Sequence, residues 1–253
     1  MNLSTPKKCY VICASHRTGS NLLYAGLVDS GIAGIPLEYY MHLRGEKGPL
    51  PALWKNSPEE FNRRMYEKGT TENGCFGVKI MWENLEDMRR FYISIPEWSN
   101  FNAPEVLENI FPNAKYIYIS RRDKVRQAVS MVKAIKTGYF TSRQEDEAKE
   151  KGEYKTAKEY DHETVFQQYK RLLKEDELWQ NYFKQINVSP YRVIYEEFVD
   201  NYEKTIRNVL EFIDVEGWNA IEIGEKALRK QADEENEKWA EAFYNFLSST
   251  EIS

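Results

Sequence analysis

The residues best suited to chemistry lie in Ser15-His16-Arg17-Thr18-Gly19-Ser20-Asn21, between an apolar run and a stretch of helical periodicity. Gly19 lets the backbone come close to a ligand, Thr18 and Ser20 supply hydroxyl donors, and Arg17 supplies a planar cationic fork. A helix N-terminus adds free N–H groups and the positive end of its dipole, so the combination predicts a cradle for a phosphate-like oxyanion. The plainer alternative is a helix start capped by Thr18. The ATPase form of such a loop, GxxxxGK[ST], is absent, which disfavours kinase or NTPase chemistry. A second basic segment runs from Arg121 to Ser130. A guanidinium and a hydroxyl suit a dianionic phosphate, each charge-assisted hydrogen bond contributing about 1.5–3 kcal/mol. Basic residues early in a helix oppose its dipole, a cost that an adjacent anion offsets, although Arg126 and Lys133 also read as a solvated surface.

These segments need strands and helices to hold them. Residues 9–14 (CYVICA) form a continuous β-prone run, as in a strand covered on both faces, and 18–30 follow with helical spacing. Further strands are expected at Ala33–Tyr40, Cys75–Met81, Lys115–Ile119 and Arg192–Tyr195, with helices over 57–68, 83–92, 104–110, 123–136, 161–186 and 202–213. Strands separated by helices predict an α/β fold: a three-layer parallel sheet with crossover helices. Val165, Phe166, Tyr169, Leu172, Leu173, Trp179, Tyr182, Phe183 and Ile186 mark one stripe of a long packing helix, roughly 39 Å from end to end. The mixed-charge stretch 143–160 reads as a solvated excursion from a single domain spanning 1–253, with a substrate lid as its functional alternative.

An Arg or Lys followed by Ser/Thr-Gly-Ser/Thr resembles the 5′-phosphosulfate loop of sulfotransferases, in the form of the bacterial trehalose 2-sulfotransferase family. The resemblance extends to Arg121–Thr137, to Gly34-Ile35-Pro36-Leu37-Glu38-Tyr39-Tyr40, and to Gly77-Val78-Lys79-Ile80-Met81-Trp82. It covers about residues 8–245, and Asn21 departs from it where Ser or Thr is commoner. It implies a P-loop-NTPase-like sulfotransferase fold and a donor, 3′-phosphoadenosine 5′-phosphosulfate (PAPS), with no metal required. Arg17, Thr18, Gly19, Ser20 and Asn21 then hold the 5′-phosphosulfate, and Arg17 also acts catalytically. Arg122 and Ser130, spaced as in sulfotransferases, hold the 3′-phosphate. Glu38 matches the family's proposed general base, which takes the proton of a poorly nucleophilic hydroxyl. An exposed, salt-bridged Glu38 is the plain reading, and His42 is the competing base. Lys79 is a possible site residue, neutralising sulfonate or orienting Glu38, or else an edge-strand solubility device. Arg229–Asp233 resembles a further family segment, followed by acidic Glu234 and Glu235.

Composition limits what else the chain can be. It has 253 residues, 35 Lys+Arg against 40 Asp+Glu and a net charge of −5, which argues against a general nucleic-acid binder. Cys9, Cys13 and Cys75 form no CxxC pair and His16, His42 and His162 no ligand spacing, so neither disulfides nor a metal site is expected. No run is long enough to span a bilayer, and the N-terminal apolar stretch is too short for a signal peptide, so a cytoplasmic protein is expected. The implied partner is a hydroxylated small molecule or glycan acceptor, with Trp54, Trp82 or Trp98 as sugar-stacking candidates, and a homodimer is possible by analogy with relatives. Two rivals remain at this stage, a nucleotide kinase-like phosphotransferase and a non-catalytic nucleotide-binding protein of the same fold. Magnesium dependence with ATP separates the first, and failure to turn over any acceptor separates the second.

Overall fold

A computed structural model describes residues 6–44, 57–157, 159–226, 228 and 233–250. Four strands, β1 (Lys8–Ala14), β2 (Cys75–Met81), β3 (Lys115–Ser120) and β4 (Tyr191–Ile194), form one parallel sheet in the order β2-β1-β3-β4. In register, Ile12 of β1 lies beside Lys79 on one side and Ile117 on the other. The expected parallel α/β architecture is therefore present.

The apolar runs that predicted strands face two separate cores. On one face Val11, Val78, Ile80 and Tyr118 pack against α2 (Pro58–Gly69), α3 (Leu85–Tyr92), α4 (Ala103–Ile110) and the C-terminal half of α7 (His162–Gln185). On the other, Ile12, Ala14 and Ile119 pack against α1 (Ser20–Asp29), α8 (Tyr195–Asp200) and α9 (Tyr202–Ile213). Strands buried on both faces read as unbroken hydrophobic runs, which is why they were legible. A third cluster joins α5 (Lys124–Thr137), the N-terminal half of α7 and α10 (Glu234–Thr250) through Val129, Leu172, Trp239 and Phe243. Leu173, expected on the packing stripe of α7, is instead exposed.

One expected strand is corrected. Ala33–Tyr40 is not a strand. Gly34 adopts φ +74°, and an added Cβ there would lie 2.9 Å from three backbone atoms; Pro36 has no N–H to give a ladder. The segment instead runs irregularly beside β2, with the Ile35 N–H donating to the Gly69 carbonyl and the Lys79 N–H to that of Leu37, and ends in a 3₁₀ turn at Tyr39–Arg44. The charged excursion 143–160 has local structure of its own. It contains most of α6 (Ser142–Glu150), started by a reciprocal Thr141–Gln144 capping box. Beyond α6 it folds back, with Tyr154 stacked on Tyr139, Lys136 donating to the Glu159 carbonyl, and Ala157 buried.

Trp179 fastens α7 to the functional end of the sheet. Its ring is fully buried and its indole N–H donates to the Ala14 carbonyl at 3.1 Å, where β1 gives way to the oxyanion loop. Trp179→Ala is expected to cost about 3–5 kcal/mol in chemical denaturation, the usual cost of emptying a large aromatic site. A loss below 1 kcal/mol, on the order of an ordinary surface change, would show that α7 is anchored elsewhere.

Candidate active site

The loop leaves β1 by two left-handed residues, Arg17 (φ 64°) and Gly19 (φ 82°). Thr18 does not cap the helix: it is buried, and its hydroxyl donates to the Ser15 carbonyl at 2.9 Å. Gly19 takes the N-cap position instead, and no side chain caps α1, which leaves the orphan N–H groups of its first turn to serve an oxyanion. Only glycine fits here. Besides its φ, an added Cβ would lie 2.6 Å from the Tyr195 ring.

Gly19, Ser20 and Asn21 open onto a cavity of about 580 Å³, lined also by Arg17, Arg121, Arg126, Ser130, Tyr195 and Lys226. Its walls come from the β3–β4 side of β1: the β3–α5 junction, α5, α6 and α8, with α10 closing the far end. Arg17 turns into this side, its Nε donating to Ser130 Oγ at 2.9 Å and its Nη1 to the Phe140 carbonyl. Burial, reinforced by repulsion from Arg121, pulls the Arg17 pKa down to about 10. The Arg121 guanidinium stacks 4.7 Å from the centre of the Tyr195 ring. Its buried Nε makes no hydrogen bond among the described residues and lies 3.7 Å from Glu196 Oε1. Two largely buried guanidiniums, a hydroxyl and an uncapped helix start could together hold an anion, since burial of like charges is tolerated where a ligand compensates them.

Of the residues singled out in the sequence, Arg17, Gly19, Ser20, Asn21 and Ser130 share this cavity, and Thr18 supports the loop from beneath. Arg122 does not join them. Its side chain is 59% exposed and hydrogen-bonded to Glu197, whereas Arg121, the residue next to the strand, enters the cavity. The spacing of eight residues selects Arg122; Arg121, which directly follows the end of β3, is the one that lines the cavity. Arg126 is in part a solvated residue, its side chain 42% exposed. It lines the cavity and is held by Glu237 at 2.7 Å and Asp123 at 2.7 Å. Lys133 pairs with Asp233 and Glu235, which fixes the acidic start of α10. Arg229–Ala232 and Trp54 lie outside the described residues, as does the side chain of His42. Tyr195, Phe140 and Lys226 were missed; Tyr195 follows β4 directly, so the rule that ligands meet the carboxyl ends of parallel strands could have found it.

Glu38 and Lys79 meet on the opposite flank of the loop. Lys79 is no solubility device: its side chain is 4% exposed, with Nζ 2.8 Å from Glu38 Oε1 and 2.5 Å from Asn21 Oδ1. The lysine therefore ties the carboxylate to the last residue of the oxyanion loop.

The family model of the Stf0 sulphotransferase matches residues 9–245. The chain belongs to this family. It is 24% identical to a trehalose 2-sulfotransferase of Mycolicibacterium smegmatis and 21% identical to one of Mycobacterium tuberculosis, each alignment covering 95% of this chain and 96% of the relative. Among solved structures it is similar to a sulfotransferase from Alicyclobacillus acidocaldarius (13% identity, 94% of this chain and 92% of that one, TM-score 0.49). A sulfotransferase domain from the curacin biosynthetic pathway matches at 16% identity over 83% of this chain and 75% of that one, with a TM-score of 0.43. The chain is thus a sulfotransferase by family, which sets aside the kinase-like reading. No described helix is long and apolar enough to cross a membrane, and no cluster of three or more metal-ligating side chains occurs among the described residues.

Because Gly19 has no room for a side chain, Gly19→Ala is expected to lower affinity for 3′,5′-adenosine bisphosphate at least tenfold in calorimetry while the variant stays folded by circular dichroism. Unchanged affinity would show that the loop does not form the anion site.

Proposed function

We propose that this sulfotransferase uses PAPS as donor and transfers its sulfonate to a hydroxyl of a carbohydrate acceptor, with Glu38 as general base. The observation that carries the reading is the division of the oxyanion loop into two flanks. One is cationic and large enough for a nucleotide; the other presents a carboxylate fastened by a buried lysine. The relatives named as trehalose 2-sulfotransferases support the sugar acceptor.

The residues present fit such a donor: the buried Arg121 Nε has no hydrogen-bond partner among the described residues, and the loop at Gly19 has no space for a Cβ. When bound, the donor supplies an activated sulfonate on a 5′-phosphate. Arg17 and the first-turn amides of α1 hold the phosphosulfate, and Arg121 with Ser130 holds the 3′-phosphate, the role first given by spacing to Arg122. Transfers of this type pass through loose transition states, so positioning and charge stabilisation carry most of the catalysis. Lys79 holds Glu38 beside the loop, where the carboxylate can accept the acceptor's proton. None of these roles requires a metal ion.

Two measurements test this assignment. Glu38→Gln is expected to lower kcat by about 10²–10⁴-fold, the usual contribution of a general base, with bisphosphate affinity unchanged. Lost nucleotide binding with normal kcat would refute the role. Arg121→Ala is expected to weaken 3′,5′-adenosine bisphosphate far more than 5′-AMP, whereas Arg122→Ala leaves both nearly unchanged. Equal losses for the two nucleotides in Arg121→Ala would remove Arg121 from the 3′-phosphate site.

A further inference from the structure

Consecutive residues of the loop point to opposite sides. Arg17 reaches across to Ser130 on α5, into the nucleotide cavity, while His16 reaches the other way, its Nε2 lying 3.0 Å from Glu83 Oε1 just beyond β2. The register explains the meeting: Ala14 pairs with Met81, so the chain leaving β1 runs beside the chain leaving β2. Glu83 is also approached from α7, where Arg171 Nη1 stands 3.7 Å from its second oxygen. Behind them Arg171 Nε lies 3.4 Å from Glu175 Oε1, and burial raises the Glu175 pKa. Arg171 Nε and Nη2 are buried without a hydrogen bond among the described residues.

This row of ionisable groups is expensive to bury, and neither donor binding nor proton removal uses it. Its front, in contrast, is accessible: the Glu83 side chain is 35% exposed and that of His16 19%. If the nucleotide fills the β3–β4 side of the loop, an in-line displacement brings the acceptor from the β2 side. Glu38 and Lys79 approach that side at the Asn21 end of the loop, and Glu83 approaches it at the His16 end. A carboxylate with one oxygen within hydrogen-bond distance of an imidazole and the other beside a guanidinium is an oriented acceptor for hydroxyl groups, and orientation of this kind lowers the cost of binding.

We propose that Glu83, oriented by His16 and Arg171, is a specificity-determining residue that hydrogen-bonds a hydroxyl pair of a polyol acceptor and so brings its reacting hydroxyl to the oxyanion loop. Arg171 and Glu175 act through Glu83 as positioning residues. The proposal rests on the carbohydrate-acceptor reading above and adds the residue that recognises the sugar at a distance from the reacting oxygen.

The test uses the full chain saturated with 3′,5′-adenosine bisphosphate and titrated calorimetrically with trehalose, glucose, maltose and myo-inositol. Wild type is expected to bind at least one of them, and Glu83→Gln to weaken that binding tenfold or more while bisphosphate affinity stays within twofold. For a polyol that is turned over, the same variant is expected to raise KM with little change in kcat, and Arg171→Lys to give a smaller rise. A loss of polyol binding below tenfold in Glu83→Gln overturns the proposal and leaves the carbohydrate reading standing. Wild type binding none of the four overturns both. Loss of bisphosphate affinity in Glu83→Gln shows a structural residue and also overturns the proposal.

Discussion

Burying like charges at the end of β1 is the constraint from which the rest of the site follows. Arg17 and Arg121 are both taken out of water, and each opposes the other's charge, which is why the Arg17 pKa falls to about 10. A fold keeps such an arrangement only if other contacts hold it in place. Ser130 and the Phe140 carbonyl fix Arg17, the Tyr195 ring supports Arg121, and that ring in turn requires glycine at position 19. The proposed donor, bound here, would relieve repulsion already present in the folded protein, so part of its binding energy would come from the loop itself rather than from new contacts alone.

The sheet order converts this local site into a two-sided one. Because β1 lies between β2 and β3, the loop that leaves it is flanked by the ends of both neighbours. The β3 and β4 ends deliver Arg121 and Tyr195 to the cationic side; β2 and the irregular segment beside it deliver Lys79 and Glu38 to the other. Asn21 joins the two sides, lining the cavity while accepting a hydrogen bond from Lys79. An asparagine where the family more commonly has a hydroxyl thus has a partner here that uses its carbonyl oxygen.

What was legible in the sequence was whatever depends on near neighbours. Strands buried on both faces announce themselves as apolar runs, and the oxyanion loop as a glycine among hydroxyls and an arginine. Ala33–Tyr40 misled because its side chains favour a strand, while Gly34 and Pro36 set a backbone that cannot ladder. The choice between Arg121 and Arg122 turns on one residue of strand length, which spacing alone does not resolve. Lys133 read as surface because α10, whose acidic start covers it, begins about a hundred residues later. The α10 stripe of Trp239, Ala240 and Phe243 is short and flanked by glutamates, so it passed unnoticed until α5 and α7 were seen beneath it.

The overall charge of −5 and the cationic cavity serve the same end. A negative surface repels polyanions in general, while a few cations in a partly dehydrated cleft act strongly only at short range. The cavity keeps carboxylates of its own, Asp200 and Glu237, and Glu237 holds Arg126 from α10. With its charge already engaged by Glu237 and Asp123, Arg126 contributes less free positive potential than Arg17 or Arg121. The attraction is thus concentrated at the loop and the β3–α5 junction instead of being spread along the cleft. Such a distribution suits the proposed donor, whose charge is compact and sits at two separated points rather than along its whole length. A nucleotide phosphorylated at both the 3′ and 5′ positions has that pattern, and a nucleic acid strand does not.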